Sequence, residues 1–238
     1  MSDRTTDRRY MRRALALALR GRGTTAPNPM VGAVVVHGGQ IVGEGFTEPP
    51  GRAHAEVVAL IAAGPLAAGA TVYVTLEPCA GFGRTPPCVD ALIAARVARV
   101  VFAAADPNPV MAGGAERLRA AGVAVVGGVE LTAALDQNPA FFRGFGSDRP
   151  FVTLKLARSL DGGIADGQRR AARLTGAVAR REVHRQRGDH DAVAVGVGTV
   201  IADDPQLTVR GVPQPRVAPV RVIFDRTGRV PLSSTLIR

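Results

Sequence analysis

The sequence predicts an α/β sandwich, and two observations carry this prediction. Between residues 71 and 126, short runs of β-branched apolar residues alternate with stretches of helical periodicity. Such alternation is typical of parallel strands joined by crossover helices. Hydrophobic residues make up 46% and charged residues 21% of the 238 residues, as expected for a globular chain with a sizeable core. The composition therefore disfavours disorder, coiled coil and a transmembrane span.

The elements that precede the alternating region are a helix, a hairpin and a second helix. Apolar and basic residues recur at helical spacing over 7–20, and the Gly- and Pro-rich run that follows breaks the helix. Strands are predicted over 31–36 and 41–44, because a His-Gly-Gly turn separates two apolar runs. A helix over 54–63 is ended by a Gly-Pro pair.

The alternating region completes the first domain, and a turn-rich joint at 144–150 separates it from a second α/β unit. We therefore expect one domain over 1–146 and another over 147–238. In the first domain the pattern predicts strands over 71–75, 97–103 and 123–126 and helices over 88–95 and 114–121. In the second it predicts strands over 151–156, 192–197 and 220–225 and a helix over 177–187.

The chain is strongly basic, with 30 basic and 20 acidic residues and a formal net charge of +10. Seven arginines lie between Arg169 and Arg187, which favours contact with phosphate but is also typical of a solvated helix face. Aromatic residues amount to 4% and Trp is absent, so we expect no nucleic-acid partner. The apolar stretch over 14–19 is too short for a signal peptide, so we expect a cytoplasmic protein without membrane contact.

Two cysteines and one histidine form a pattern that indicates a catalytic metal. His54 and Glu56 lie at the start of a predicted helix, Cys79 follows a predicted strand, and Cys88 begins the next helix. One imidazole and two thiolates provide three ligands of a tetrahedral zinc site whose fourth position holds water. Glu56 is then placed to transfer the proton of that water. Singly, each residue is as well explained as a core residue, and a structural zinc is the alternative reading of the set.

The order H-x-E and then P-C…C is the signature of zinc-dependent nucleobase deaminases. Eight residues separate Cys79 and Cys88, however, where most of these enzymes have two. This wider loop resembles that of the bifunctional riboflavin-biosynthesis deaminase/reductase family. Other blocks of the chain resemble the same family in the same order, and they are Pro27-Asn28-Pro29, Gly43-Glu44-Gly45, Asp106-Pro107-Asn108-Pro109, Ser159-Leu160-Asp161-Gly162 and Asp203-Asp204-Pro205-Gln206-Leu207.

For the first domain, the resemblance implies a cytidine-deaminase-like three-layer α/β/α sandwich. Its implied reaction is hydrolysis of the C2 amino group of 2,5-diamino-6-(5-phosphoribosylamino)pyrimidin-4(3H)-one, a small phosphoribosylated pyrimidine. The products are 5-amino-6-(5-phosphoribosylamino)uracil and ammonia. The implied residues are His54, Cys79 and Cys88 as ligands of Zn²⁺, Glu56 as the catalytic proton carrier, Asn28 as the residue that orients the base, and Arg84 as the phosphate contact.

For the second domain, the resemblance implies part of a dihydrofolate-reductase-like unit that reduces the ribosyl group with NADPH. Matching positions imply cofactor contacts from Ala157, Thr199 and Asp203 and substrate contacts from Arg187, Leu207 and Arg210. The C-terminal part of the family's reductase has no counterpart after Arg238. We therefore expect weak or no NADPH binding, and a homo-oligomer is one way to cover the open sheet edge.

The chain departs from the family at two places. Gly81 stands where the family usually has a histidine, and we expect it to leave room beside the zinc site. Ala171 and Arg173 replace a substrate-binding hydroxyl and an aromatic residue of the reductase. Two alternatives thus stay open, namely a zinc deaminase of another aminated heterocycle and a non-catalytic, zinc-stabilised partner protein.

Overall fold

The computed structural model describes residues 4–167 and 174–238. It divides into two compact units, Met1–Val152 and Thr153–Arg238, so the domain boundary expected after residue 146 stays a prediction. Across the described ranges, the structure has no helix with the length and apolar character needed to cross a bilayer. The exchanged residues Ala171 and Arg173 and the first arginines of the basic stretch lie outside the described residues.

The first unit is built on a five-stranded sheet in the order β2-β1-β3-β4-β5. Strand β1 pairs antiparallel with β2 and with β3, whereas β3, β4 and β5 run parallel. The predicted hairpin and crossover connections are therefore confirmed. The strands are β1 (Gly32–His37), β2 (Gln40–Phe46), β3 (Thr71–Leu76), β4 (Arg99–Ala104) and β5 (Ala124–Val126).

Helices cover both faces of this sheet and make the expected three-layer sandwich. They are α1 (Arg4–Ala18), α2 (Ala55–Ala63), α3 (Cys88–Ala94), α4 (Gly114–Ala120), α5 (Leu131–Gln137) and α6 (Pro139–Gly146). Helix α2 contacts α3, and α3 contacts α4. On the other side, Gln137 at the end of α5 donates a hydrogen bond to the carbonyl of Leu15 in α1.

Two glycines of β2 allow α2 to pack unusually close to the sheet. A Cβ atom at Gly43 would lie 2.2 Å from the carbonyl oxygen of Ala59, and one at Gly45 would lie 2.4 Å from that of Ala55. Larger residues at these positions would push α2 away from the sheet. The two glycines therefore determine how close the start of α2, where His54 and Glu56 lie, comes to the sheet.

The second unit has a parallel pair of strands, β6 (Ala192–Gly196) and β7 (Val220–Phe224), and helices α7 (Ala177–Gly188) and α8 (Val197–Asp203). These elements agree with the expected helix and two of the expected strands. The strand expected over 151–156 is wrong, because residues 151–159 have no regular secondary structure. Val152 and Leu154 there are 78% and 79% exposed. Among the described residues no strand pairs with this segment, and an apolar run without a pairing partner gains nothing from extended geometry.

Candidate active site

The three expected ligand side chains meet where the ends of β3, α2 and α3 converge. His54 is the residue before α2, Cys79 lies three residues after β3, and Cys88 is the first residue of α3. His54 caps α2 by its backbone position alone, so its ring is free for other contacts. The Nδ1 atom of His54 lies 3.2 Å from Sγ of Cys88 and 3.7 Å from Sγ of Cys79.

These distances suit a shared metal ion. All three donor atoms lie within 4.8 Å of one another. Zinc bound tetrahedrally, with Zn–N near 2.0 Å and Zn–S near 2.3 Å, places its nitrogen and sulfur ligands roughly 3.6 Å apart. One nitrogen and two sulfurs are also a donor set that zinc prefers. The cluster therefore has both the spacing and the chemistry of three ligands of a zinc site, and the described residues supply no fourth ligand to it.

The two thiols share a hydrogen-bond network. The backbone N–H of Cys88 donates to Sγ of Cys79 at 3.2 Å. The thiol of Cys88 also donates to Cys79, which lowers the pKa of Cys79, while the same bond and burial raise the pKa of Cys88. The pKa of His54 is raised, chiefly by its hydrogen bond to Cys79. The pocket thus favours a thiolate at Cys79 even without a metal.

Glu56 lies beside the cluster in the first turn of α2 and is 4% exposed. Burial raises its pKa to about 7, and the Cys79 thiolate contributes to the increase while His54 opposes it. A carboxyl group with a pKa near neutrality can both accept and release a proton. Its properties suit the proton carrier that the sequence predicts.

A second buried carboxylate, Glu77, connects the ends of β3 and β4 with the start of α4. Its two oxygens accept hydrogen bonds from the backbone N–H groups of Ala115 at 2.9 Å and Asp106 at 3.2 Å. Glu77 follows β3, Asp106 follows β4, and Ala115 lies in the first turn of α4. The bridge therefore fixes the loop of Cys79 relative to the next strand and helix.

A cavity of about 320 Å³ opens onto His54, Glu56 and Cys79. The expected substrate residues Asn28 and Arg84 both line it, so the structure brings them to the cluster. Burial raises the pKa of Asp106, another lining residue, to about 6. Sequence reasoning assigned no role to several lining residues, which include Thr85, Asp106, Asn108, Met111 and Phe141.

Gly81 does not leave the expected room beside the site. A Cβ atom at Gly81 would lie 2.0 Å from the carbonyl oxygen of Val110 and 3.4 Å from the sulfur of Met111. The backbone N–H of the preceding residue, Ala80, donates to the carbonyl of Met111 at 2.8 Å. The loop after β4 thus packs against the loop between Cys79 and Cys88. Backbone atoms of Val110 occupy the space that a side chain at Gly81 would need.

The expected substrate contacts of the reductase, which are Arg187, Leu207 and Arg210, lie in the second unit. Arg187 donates to the carbonyl of Thr208 at 3.1 Å, and burial together with the nearby charge of Arg210 lowers the pKa of Arg187. Leu207 is buried, with a positive φ of 52°.

Of the three expected NADPH contacts, Thr199 and Asp203 lie one turn apart on α8, whereas Ala157 lies in the irregular segment 151–159. The NADPH contacts stay a prediction.

The sheet order and the His-Cys-Cys cluster define a protein of the cytidine-deaminase-like class. The family model of the cytidine and deoxycytidylate deaminase zinc-binding region matches residues 4–104, and that of the RibD C-terminal domain matches residues 150–238. The chain belongs to the RibD family of riboflavin biosynthesis proteins.

Relatives support this assignment over nearly the whole chain. The riboflavin biosynthesis protein RibD of Aquifex aeolicus is 50% identical over 235 residues, which cover 98% of this chain and 66% of that protein. The structure of Acinetobacter baumannii RibD, form 2, matches with a TM-score of 0.86 and 45% identity over 100% of this chain and 68% of that one. A Thermotoga maritima diaminohydroxyphosphoribosylaminopyrimidine deaminase/5-amino-6-(5-phosphoribosylamino)uracil reductase matches with a TM-score of 0.87 and 43% identity over 95% of this chain and 65% of that one. The chain thus spans about two thirds of the length of these relatives.

Proposed function

We propose that the first unit is a zinc-dependent deaminase of riboflavin biosynthesis. Its substrate is 2,5-diamino-6-(5-phosphoribosylamino)pyrimidin-4(3H)-one, and its products are 5-amino-6-(5-phosphoribosylamino)uracil and ammonia. The observation that carries the proposal is the His54, Cys79 and Cys88 cluster with buried Glu56 beside it. Of these residues, His54, Glu56 and Cys79 line one cavity. The name of the Thermotoga maritima relative supports the choice of substrate.

His54, Cys79 and Cys88 hold the zinc ion in this proposal. Zinc, when bound, would supply Lewis-acid activation of a water molecule for attack on the amino-bearing carbon. Glu56 is placed to accept a proton from the attacking water and to pass one to the departing amine, a task that suits its pKa of about 7. Because one carboxyl group carries out both transfers, it returns to its starting state after each turnover.

The cavity rim supplies the binding groups. Asn28 can donate to and accept from the ring edge of an aminopyrimidine, because its amide carries both functions. Arg84 is exposed at the rim of the cavity, where a guanidinium suits the ribose phosphate. The net charge of +10 favours the approach of an anionic substrate.

The second unit is proposed as the matching part of an NADPH-dependent reductase. Its support is the family match over 150–238 and the closeness of Arg187 and Arg210, two cations suited to an anionic substrate. We propose that the protein acts in the cytoplasm.

Ammonia release from the phosphoribosylated diaminopyrimidine tests the proposal. Zinc-loaded protein is assayed with and without NADPH, and NADPH oxidation is followed in parallel. Ammonia release is the expected result, and no ammonia would overturn the deaminase proposal. NADPH oxidation that requires the deaminated product would support the reductase assignment of the second unit.

A further inference from the structure

Helix α6 contributes to the candidate active site although it lies beyond the matched zinc-binding region. Phe141 of this helix lines the same cavity as His54 and Glu56. Apart from the His54 imidazole, it is the one aromatic side chain among the described residues that line this cavity. Asn138, the residue that precedes α6, forms hydrogen bonds to the loop that carries Asn28.

Asn138 holds this loop by two hydrogen bonds to a single residue. Its Oδ1 atom accepts from the backbone N–H of Met30 at 2.8 Å, and its Nδ2 atom donates to the carbonyl of Met30 at 2.9 Å. Met30 is two residues from Asn28. A carboxamide is the side chain that can pair with both backbone groups of one residue in this way. Asn138 therefore fixes the loop to α6 at a defined distance.

Phe141 is held in place by its neighbours on the helix. Its ring meets those of Phe142 and Phe145 edge to face, with centroids 5.4 Å and 5.2 Å apart. Phe141 and Phe142 also pack against the core of the first unit. Rings packed in this way restrict one another's orientation, and aromatic rings bind planar heterocycles by stacking. Phe141 thus presents a positioned aromatic ring to the cavity.

We propose that Phe141 of α6 is the contact for the planar heterocycle in the deaminase site, and that Asn138, the residue before α6, is the positioning residue for the Asn28 loop. The inference rests on the proposed function. Neither side chain titrates, so neither takes part in proton transfer. The two residues act on binding and orientation, and their loss changes KM and product affinity more than kcat.

The test compares Phe141→Leu, Phe141→Tyr and Asn138→Asp with the wild type, all zinc-loaded and of measured zinc content. Leucine keeps the apolar bulk but removes the ring, and we expect about a fivefold rise in KM with kcat within about twofold. Tyrosine keeps the ring and restores KM to within about twofold. Asn138→Asp removes the donor to Met30, and we expect about a tenfold rise in KM.

Phe224→Leu is the matched control. Phe224 is 69% exposed at the end of β7 in the second unit and does not line the cavity, so the same substitution there should leave KM unchanged. Calorimetric titration with 5-amino-6-(5-phosphoribosylamino)uracil provides an independent dissociation constant. Its expected change in each variant parallels the change in KM.

The outcomes separate the two proposals. A wild type that releases ammonia, with an unchanged KM in both Phe141→Leu and Asn138→Asp, overturns the role of α6 and leaves the proposed function standing. A wild type that releases no ammonia but binds the uracil product, more weakly after Phe141→Leu, overturns the proposed reaction and supports the stacking role. A wild type that neither reacts nor binds overturns both.

Discussion

The carboxylate of Asp7 in α1 accepts two hydrogen bonds from the guanidinium of Arg99 in β4, both at 2.8 Å. The hydroxyl of Tyr73 in β3 donates a third hydrogen bond to Asp7 at 2.9 Å. The side chains of Asp7 and Arg99 are only 6% and 19% exposed. The network therefore joins the first helix to two central strands and fixes the layer opposite the candidate active site.

Replacing Asp7 by Ala should lower the free energy of unfolding by about 3 kcal/mol, because it leaves the largely buried Arg99 charge without its carboxylate partner. Glu116→Ala removes an exposed ion pair with Arg119 and should change the free energy of unfolding by less than about 0.5 kcal/mol. The measurement is urea unfolding followed by tyrosine fluorescence. Both tyrosines, Tyr10 and Tyr73, lie in the first unit and the chain has no Trp, so the signal reports that unit. Equal losses in the two variants would contradict the account.

Tyr73 should make the first unit sensitive to alkaline pH. Burial, together with the hydrogen bond to Asp7, raises its pKa from 10.0 to about 12. The folded state therefore retains the phenol proton that the unfolded chain releases, and this stabilisation is present below pH 10 and lost between pH 10 and 12. Over that window we expect Tyr73→Phe to lose about 2 kcal/mol less stability than the wild type, as measured by circular dichroism in urea. Identical slopes in the two proteins would contradict this assignment.

Thr85 should strengthen zinc binding through His54. The Oγ1 atom of Thr85 lies 3.4 Å from Nε2 of His54, on the side of the ring away from both cysteines. When Nδ1 binds zinc, Nε2–H donates to this hydroxyl and fixes the tautomer and the ring orientation. Thr85→Val should weaken zinc affinity about tenfold, and Thr85→Ser should restore it. Chelator competition measures the dissociation constants, and wild-type affinity in Thr85→Val would refute the role.

Arg84 should affect binding of the phosphate alone. Arg84→Ala should raise KM for the phosphoribosylated substrate about tenfold, because a charge-assisted hydrogen bond is lost. The KM for the dephosphorylated compound should not change. Ammonia release from the two compounds measures both values. An equal rise in KM for both would show that Arg84 acts on the ring or on the loop rather than on the phosphate.

The grouping of His54, Cys79 and Cys88 could be predicted from the sequence, because these residue types at helix starts and after a strand are typical of a metal site. His54, Cys79 and Cys88 needed no knowledge of distant contacts. The role of Glu77 could not be predicted from the sequence. Its partners follow β4 and begin α4, and only the parallel sheet brings them close to Glu77. Phe141 was also missed, because α6 is short and its aromatic residues have no distinctive motif.

The fold of the first unit followed from local patterns, whereas two expectations failed where tertiary context decided. The segment 151–156 has the composition of a strand, but strand formation requires a neighbour and the described residues supply none. Gly81 suggested open space, but a missing side chain allows backbone to approach, and Val110 has done so. In both cases the outcome depends on distant residues that sequence spacing does not report.

The central claim is that Glu56 carries protons beside a zinc ion held by His54, Cys79 and Cys88. The most direct test is the rate of ammonia release by Glu56→Gln, measured together with the zinc content of the same sample. We expect one zinc per chain in both proteins and a rate lower by a factor of about 10² to 10⁴ in the variant. A variant that keeps its zinc and the wild-type rate would contradict the claim.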